Sequence, residues 1–166
     1  MGKILRVILS ILAIAGVSGL SSCDSGGCAE LRSAVPRADF FSMSTLKGIS
    51  VDSLQIVGVG VPGDSVLYGP SSRLSTIYLP MPPLADRVQW RIAYMQELLA
   101  QYDLADTITL GFERTPYFAG IECGAMYKYL ITEMKYTTNL IDSVAVTDSL
   151  VINVDKPTLA IYFRTE

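Results

Sequence analysis

Short runs of β-branched and aromatic residues recur from residue 36 onward, each ended by glycine, proline, asparagine or aspartate. Runs of this length, with alternating apolar and polar positions, are typical of β-strands. About nine such runs in a single compact stretch suit two stacked antiparallel sheets. The sequence therefore predicts an all-β fold, an antiparallel two-layer β-sandwich of immunoglobulin-like or related type.

One stretch is open to two interpretations. Val88, Trp90, Ile92 and Tyr94 alternate as in a strand, yet the same region has apolar residues at helical spacing and runs into good helix formers at 96–101. We expect a strand over 87–95, followed by a turn or short helical segment through residue 104. The other predicted strands are 38–44, 54–60, 66–68, 74–79, 108–112, 126–137, 139–146, 150–154 and 159–163.

Prolines mark several predicted connections. The segment 62–65 combines Pro with Gly and Asp, which predicts a hairpin turn with glycine at positive φ. Three prolines within 80–83 predict a rigid connection, because proline cannot lie in the middle of a sheet. Pro116 predicts a bend just before Tyr117 and Phe118.

The amino-terminal segment has the features of an export signal. The segment begins with two basic residues, Lys3 and Arg6. The stretch 4–17 is otherwise almost wholly apolar, and it is shorter than the roughly 20 residues that a membrane-spanning helix needs. The residues 20–23, Leu-Ser-Ser-Cys, resemble the lipobox of bacterial lipoproteins, in which the cysteine is lipidated. The alternatives are an ordinary signal peptide with Cys23 near its cleavage point, and an uncleaved anchor helix, which the serines and glycine of 18–22 disfavour.

We therefore predict three parts: a signal peptide over 1–22, a lipidated Cys23 with a tether to residue 35, and one domain over 36–166. Two or three acyl chains on one cysteine would hold the protein stably on a membrane. Loss of Lys3 and Arg6 leaves 11 basic against 16 acidic residues, a net charge of −5. An acidic domain without a basic cluster is not expected to bind nucleic acid.

The cysteine count supports a further prediction. Once Cys23 is assigned to lipid, Cys28 and Cys123 remain as a pair, and an even remainder in an oxidising compartment predicts a disulfide. Only residues 24–27 would then separate the lipid from the bridge, at most about 18 Å of extended chain. The alternative is two independent thiols. Two cysteines without histidine do not make a recognisable zinc site.

The chain has no histidine. This excludes the usual nucleophilic triads and most catalytic zinc sites. Glycine-rich nucleotide-binding loops are absent from the sequence as well. We predict no catalytic residue, no cofactor and no metal.

Acidic residues offer two weaker possibilities. Glu113 and Glu122, with Glu133 further on, are candidates for a glycosidase pair, which needs two acids about 5 to 9.5 Å apart. Acids on an antiparallel sheet are more simply solvated outward positions. Three aspartates lack the dense oxygen-ligand run of a calcium loop and are better explained as turn residues: Asp142, Asp148 and Asp155.

Aromatic residues are the remaining candidates for ligand contact. Trp90, Tyr94 and Tyr102 lie around the ambiguous segment, where alternating aromatics usually pack in the core. Tyr117 and Phe118 are the pair we expect to depart from that rule. They are therefore the candidate contacts for a sugar or peptide.

Three segments carry a family resemblance: Arg114-Thr115-Pro116-Tyr117-Phe118, Glu122-Cys123-Gly124 and Asn139-Leu140-Ile141-Asp142-Ser143. They resemble the carboxyl-terminal half of a family of small uncharacterised lipoproteins from Bacteroidetes-type bacteria. Its members also have a lipobox, an early second cysteine and a later cysteine-glycine pair. The resemblance implies an envelope location, a disulfide and a β fold, and it carries no catalytic residue. Residues 96–104 depart from the family pattern.

These observations predict an outer-membrane envelope lipoprotein, periplasmic or surface-exposed, that is not an enzyme. Its expected role is structural or protein-interacting, with the membrane and another envelope protein as partners. The alternatives are a cell-surface glycan- or ligand-binding module and a small carboxylate-dependent hydrolase.

Overall fold

The computed structural model describes residues 33–60, 63–70, 73–99, 102 and 104–165. The predicted signal segment, the lipidation site Cys23 and the bridge partner Cys28 lie outside these residues. The described chain is all-β, as predicted, apart from a single turn of 3₁₀ helix. Its strands are β1 (Arg37–Ser42), β2 (Leu54–Val59), β3 (Val66–Tyr68), β4 (Thr76–Tyr78), β5 (Arg87–Tyr94), β6 (Ala105–Gly120), β7 (Gly124–Tyr136), β8 (Ile141–Val146), β9 (Leu150–Val151) and β10 (Pro157–Phe163).

The strands form two sheets. The smaller has the order β4-β1-β10-β8, and the larger has the order β3-β2-β5-β6-β7-β9. The pairs are antiparallel except for β1 with β10, where the first and last strands run in parallel. The predicted antiparallel β-sandwich is therefore confirmed, with one parallel pair closing the smaller sheet.

The core lies between the sheets and follows the alternation of the sequence. Burial in β1 and β2 alternates residue by residue along the strand. In β6, Ile108, Leu110 and Phe112 are buried, as expected from their spacing. The largest fully buried side chain is Trp90 of β5, so this aromatic residue packs in the core as predicted.

The ambiguous stretch is a strand. Residues of β5 pair with β2 on one side and β6 on the other, so that Trp90 lies opposite Gly58 and Ile108. A 3₁₀ turn over Glu97–Leu99 follows. Pairing on both edges satisfies the backbone of β5 more completely than an isolated short helix would.

The connections also follow the sequence. Gly63 has φ of 78°, and the Asp64 carboxylate accepts a hydrogen bond from the Gly60 amide at 3.1 Å, which closes the turn before β3. The proline-rich segment 80–83 lies between β4 and β5 and outside both strands.

The expected bend at Pro116 is wrong. Pro116 lies within β6, opposite Tyr127 of β7, and the strand continues to Gly120. Strand β5 accompanies β6 only to Gly111, so beyond that point β6 pairs with β7 alone. Proline is tolerated there because no ladder hydrogen bond is required on the free edge.

A buried aspartate joins the two sheets. Asp106, at the start of β6, is 1% exposed. Its carboxylate accepts hydrogen bonds from the Thr137 hydroxyl (2.5 Å) and from three successive backbone amides, those of Asn139 (2.7 Å), Leu140 (2.6 Å) and Ile141 (2.7 Å). Because these donors form the crossing from β7 to β8, Asp106 fixes the point where the chain passes from one sheet to the other.

No helix among the described residues is long and apolar enough to cross a membrane.

Candidate functional site

The two longest strands extend beyond the rest of the sandwich. From Glu113 to Gly120, β6 pairs only with β7, and β7 meets β9 only at Tyr129 and Leu130. We call residues 113–128 the hairpin arm. Within the described chain, neither outer edge of the arm pairs with another strand, and a strand edge of this kind presents a row of backbone N–H and C=O groups.

The core-facing side of the hairpin arm extends beyond the sheet that covers it. Phe112 and Tyr129 are buried on the core side and pack edge to face, with ring centroids 5.3 Å apart. Strand alternation places Phe118 on the same side, where it is 68% exposed. Ile121, in the turn of the arm, is 95% exposed. Exposure therefore rises toward the tip, where Phe118 and Ile121 lie, and the charged Arg114 separates this tip from the buried Phe112 on the same face.

Tyr117 and Phe118, the two predicted ligand-contact residues, lie on opposite faces of the arm. Tyr117 is half-buried and its hydroxyl donates a hydrogen bond to Oδ1 of Asn153 at 2.6 Å. Asn153 is 3% exposed, and its Nδ2 has no hydrogen-bond partner among the described residues. Phe118 points to the opposite face, because consecutive strand residues alternate. The structure therefore does not join Tyr117 and Phe118 into one aromatic patch.

Replacing Tyr117 with phenylalanine should lower the free energy of unfolding by about 1 to 2 kcal/mol, because the buried Asn153 carbonyl would lose its donor. Urea unfolding followed by the fluorescence of buried Trp90 measures the change. Tyr127→Phe is the matched control, an exposed tyrosine on the other face of the arm, and should stay within about 0.5 kcal/mol of the parent protein. Equal losses in the two variants would refute the assigned role of the Tyr117 hydroxyl.

The chain enters the sandwich beside the hairpin arm. Ser33 and Val35 line a small cavity of about 230 Å³ together with Met126 and Tyr127 of the arm. Ala34 between them is buried against the core. The amino-terminal segment and the arm therefore share one end of the molecule.

Cys123 lies half-buried in the turn of the arm, just before Gly124, whose φ is 71°. Cys123 interacts with another residue of the protein. The predicted partner Cys28 lies outside the described residues, so the Cys28–Cys123 bridge stays a prediction, as does lipidation of Cys23.

The candidate acids are not gathered into one site. Glu113 and Gly120 are separated by seven residues of extended strand, about 23 Å, which leaves Glu122 of the turn far from Glu113. Glu133 contacts Arg87 at 2.6 Å and Lys135 at 2.5 Å. Hydrogen bonding to Lys135 and the nearby positive charge of Arg87 lower the pKa of Glu133.

The three candidate aspartates also have separate partners. Asp148 pairs with Lys156 at 2.5 Å and accepts a hydrogen bond from the Leu150 amide at 2.8 Å, and these contacts, the first above all, lower the pKa of Asp148. Asp142 lies 3.5 Å from Arg164. No group of three or more metal-ligating side chains occurs in the described part of the chain.

A polar groove that the sequence did not reveal lies on the outer face of the smaller sheet. Arg37 bridges Asp39 and Asp155, each at 3.1 Å. The Tyr78 hydroxyl donates a hydrogen bond to Asp155 at 3.1 Å, and the Thr76 hydroxyl donates one to Asp39 at 2.9 Å. Arg37, Asp39, Thr76 and Tyr78 line an open groove of about 680 Å³.

The groove network shifts two pKa values. The hydrogen bond to Asp39 raises the pKa of Arg37 despite partial burial, and Asp155 raises it further. Desolvation, followed by the Asp155 hydrogen bond, raises the pKa of Tyr78. Both side chains therefore keep their protons throughout the physiological range. The one local signal in the sequence was the i, i+2 spacing of Arg37 and Asp39, which places them on one face of a strand.

A family profile matches residues 53–163, about two thirds of the chain; it is described as a family of unknown function (DUF6452). The matched region runs from just before β2 to the end of β10, so it includes the hairpin arm and most of both sheets. No curated protein matches the chain, and no solved structure does.

Proposed function

This chain belongs to the DUF6452 family of unknown function, and from its own residues we propose that it is a lipid-anchored protein of the bacterial outer membrane with a non-catalytic, protein-interacting role. The finer resemblance to small lipoproteins of Bacteroidetes-type bacteria is part of the same proposal. The observation that carries the interacting role is the hairpin arm, whose two outer edges have no partner strand in the described chain.

The lipid anchor is supported by the order of features at the amino end. A positive start, an apolar run and small residues lead directly to Cys23. Nine residues, 24–32, separate Cys23 from Ser33, where the described chain begins. Their full contour length is at most about 35 Å, so the sandwich would remain close to the membrane that holds the lipid.

The disulfide between Cys28 and Cys123 is also part of the proposal. Ser33 lies beside Met126 and Tyr127. Cys28 is five residues before Ser33, a reach of at most about 18 Å, and Cys123 is three residues before Met126, a reach of about 10 Å. The two cysteines are therefore within reach of each other without any rearrangement of the sandwich.

The interacting role is supported by the backbone of the hairpin arm. An exposed strand edge can accept a strand from another protein, since main-chain hydrogen bonds supply affinity and side chains of alternate residues supply specificity. The arm offers two such edges with no partner strand in the described chain. Another envelope protein that contributes an extended segment is therefore the expected partner.

Replacing Cys23 with serine should move the protein from the membrane fraction to the soluble envelope fraction. The full chain is expressed in a bacterial host with lipoprotein-processing enzymes, and the measurements are flotation with membranes and the intact mass of the purified protein. We expect the parent protein to float and to carry a diacylglycerol and an acyl group, because stable anchoring takes more than one chain.

Cys28→Ser is the matched control for this experiment, since it removes a nearby cysteine but leaves the lipobox intact. It should float like the parent protein. An unmodified thiol at position 23 in the parent protein, or a parent protein found in the soluble fraction, would refute the anchor.

The interacting role is tested by crosslinking in native membranes followed by purification. A stoichiometric protein partner is the expected result. Ala125 has the same alternation along β7 as Ile131, whose amide donates outward to the Ser149 carbonyl. Ala125→Pro therefore removes a backbone N–H from the outer edge of the arm and should weaken capture of that partner if this edge is used.

A second candidate function is a glycan- or ligand-binding module. The observation that favours it is the groove on the smaller sheet, where charged and hydroxyl groups lie beside Phe41, which stacks on Tyr162 with ring centroids 5.4 Å apart. Retention of the protein on envelope polysaccharide, without a protein partner, would favour this candidate.

A further inference from the structure

The tip of the hairpin arm combines exposure with apolar character. Phe118 and Ile121 are 68% and 95% exposed and lie three residues apart in the chain. Tyr127, on the same face as Phe118, is also exposed and contributes a ring with a polar end. Aromatic and aliphatic side chains of this kind are typical of surfaces that meet the boundary between lipid headgroups and acyl chains.

The tip also lies near the proposed lipid. The chain enters the sandwich at Ser33 and Val35, against Met126 and Tyr127 of the arm. With the proposed Cys28–Cys123 bridge, only four residues would separate the lipidated Cys23 from a cysteine paired within the turn of the arm. Those residues span at most about 18 Å, so the anchor would bring the tip to the membrane surface.

We infer that the tip of the hairpin arm docks onto the lipid surface, with Phe118 and Ile121 inserted at the boundary between headgroups and acyl chains. This inference rests on the proposed lipid anchor and adds an orientation to it. The sandwich then stands on the membrane through two contacts, the covalent lipid and the apolar tip.

Charge on the arm distinguishes this docking from attraction to anionic lipids. Glu113, Arg114 and Lys128 lie at the base of the arm and Glu122 lies in its turn, so the four charged side chains sum to zero and the tip has no basic side chain. A polybasic patch would make binding depend on anionic lipid, whereas insertion of apolar side chains does not. We therefore expect the same docking on neutral and on anionic vesicles.

Tryptophan fluorescence tests the docking in the full lipidated protein. Phe118→Trp and Ile121→Trp are each incorporated into phosphatidylcholine vesicles whose acyl chains carry bromine, with and without phosphatidylglycerol. The added tryptophan should be quenched about two-fold or more, since an inserted side chain lies within the outermost 5 to 10 Å of the bilayer. The buried Trp90 lies opposite Ile108, ten residues or about 33 Å of strand before Phe118, and supplies a constant background.

Leu46→Trp is the matched control. Leu46 is an apolar residue that is 65% exposed and follows the far end of β1, away from the entry of the chain. Quenching at 118 and 121 but not at 46 is the expected result. Flotation of the protein without quenching at 118 and 121, or equal quenching at all three positions, would overturn the docking alone. Failure to float would refute the lipid anchor itself and the docking with it.

Discussion

Replacing Asp106 with alanine is expected to lower the free energy of unfolding by about 3 to 5 kcal/mol, because several buried donors would lose one shared acceptor. The carboxylate accepts hydrogen bonds from the Thr137 hydroxyl and the amides of Asn139, Leu140 and Ile141. Ile141 is fully buried, so water cannot replace the lost bond to its amide. Urea unfolding monitored by Trp90 fluorescence measures the loss.

Two further variants make the Asp106 prediction specific. Asp106→Asn keeps the shape but replaces one acceptor oxygen with a donor, so its loss should be similar to or somewhat smaller than that of alanine. Asp142→Ala removes a surface carboxylate that contacts Arg164 at 3.5 Å, and should change stability by less than about 1 kcal/mol. Equal losses of stability in Asp106→Ala and Asp142→Ala would show that the hydrogen bonds to Asp106 do not stabilise the fold.

The pH dependence of stability should report the same carboxylate. Burial opposes ionisation of Asp106, but the hydrogen bonds from Thr137 and the three amides outweigh it and lower its pKa in the folded state. A group with a lowered folded pKa stabilises the protein above its unfolded pKa, near 4, and loses that contribution as the pH falls through the folded value. The parent protein should therefore lose stability below about pH 4 more steeply than Asp106→Asn.

Local alternation was enough to predict most of the strands. Ile108, Leu110 and Phe112 face the core because alternate side chains of β6 point to the same side of the sheet. Trp90 and Ile92 make the same pattern in β5, and tertiary pairing on both edges decided between strand and helix there. What alternation cannot give is the partner of each strand, so the parallel pairing of β1 with β10 was not predicted.

The parts of the site that escaped prediction depend on contacts between distant residues. The donors to Asp106 come from residues more than thirty positions later. The groove network joins Arg37 to Asp155 across 118 positions. At Pro116 the rule that proline interrupts a strand gave the wrong prediction. Proline is tolerated there because no described strand pairs with the other edge of β6. Tyr117 and Phe118 lie on opposite faces because β6 continues as a strand through Pro116, and the proline concealed this continuity in the sequence.

Removing the proposed disulfide should produce the other large effect. Cys28→Ser and Cys123→Ser should each lower the free energy of unfolding by about 4 to 5 kcal/mol, since a bridge over roughly 95 residues restricts the unfolded chain strongly. The native geometry of the arm is not expected to oppose this, because Cys123 lies in a turn and Cys28 has only five residues to cross before Ser33. Urea unfolding of the lipidated protein in detergent measures the loss.

A double-substitution cycle separates a bridge from two independent thiols. If Cys28 and Cys123 form one bond, the double variant should lose no more than either single variant, because the second substitution has nothing left to break. A reducing agent should lower the stability of the parent protein to that of the variants and should leave the variants unchanged. Additive losses, or two titratable thiols in the unreduced parent protein, would show that the residues are unpaired, and the tip of the arm would then be held near the membrane only by the longer chain from Cys23 to Ser33.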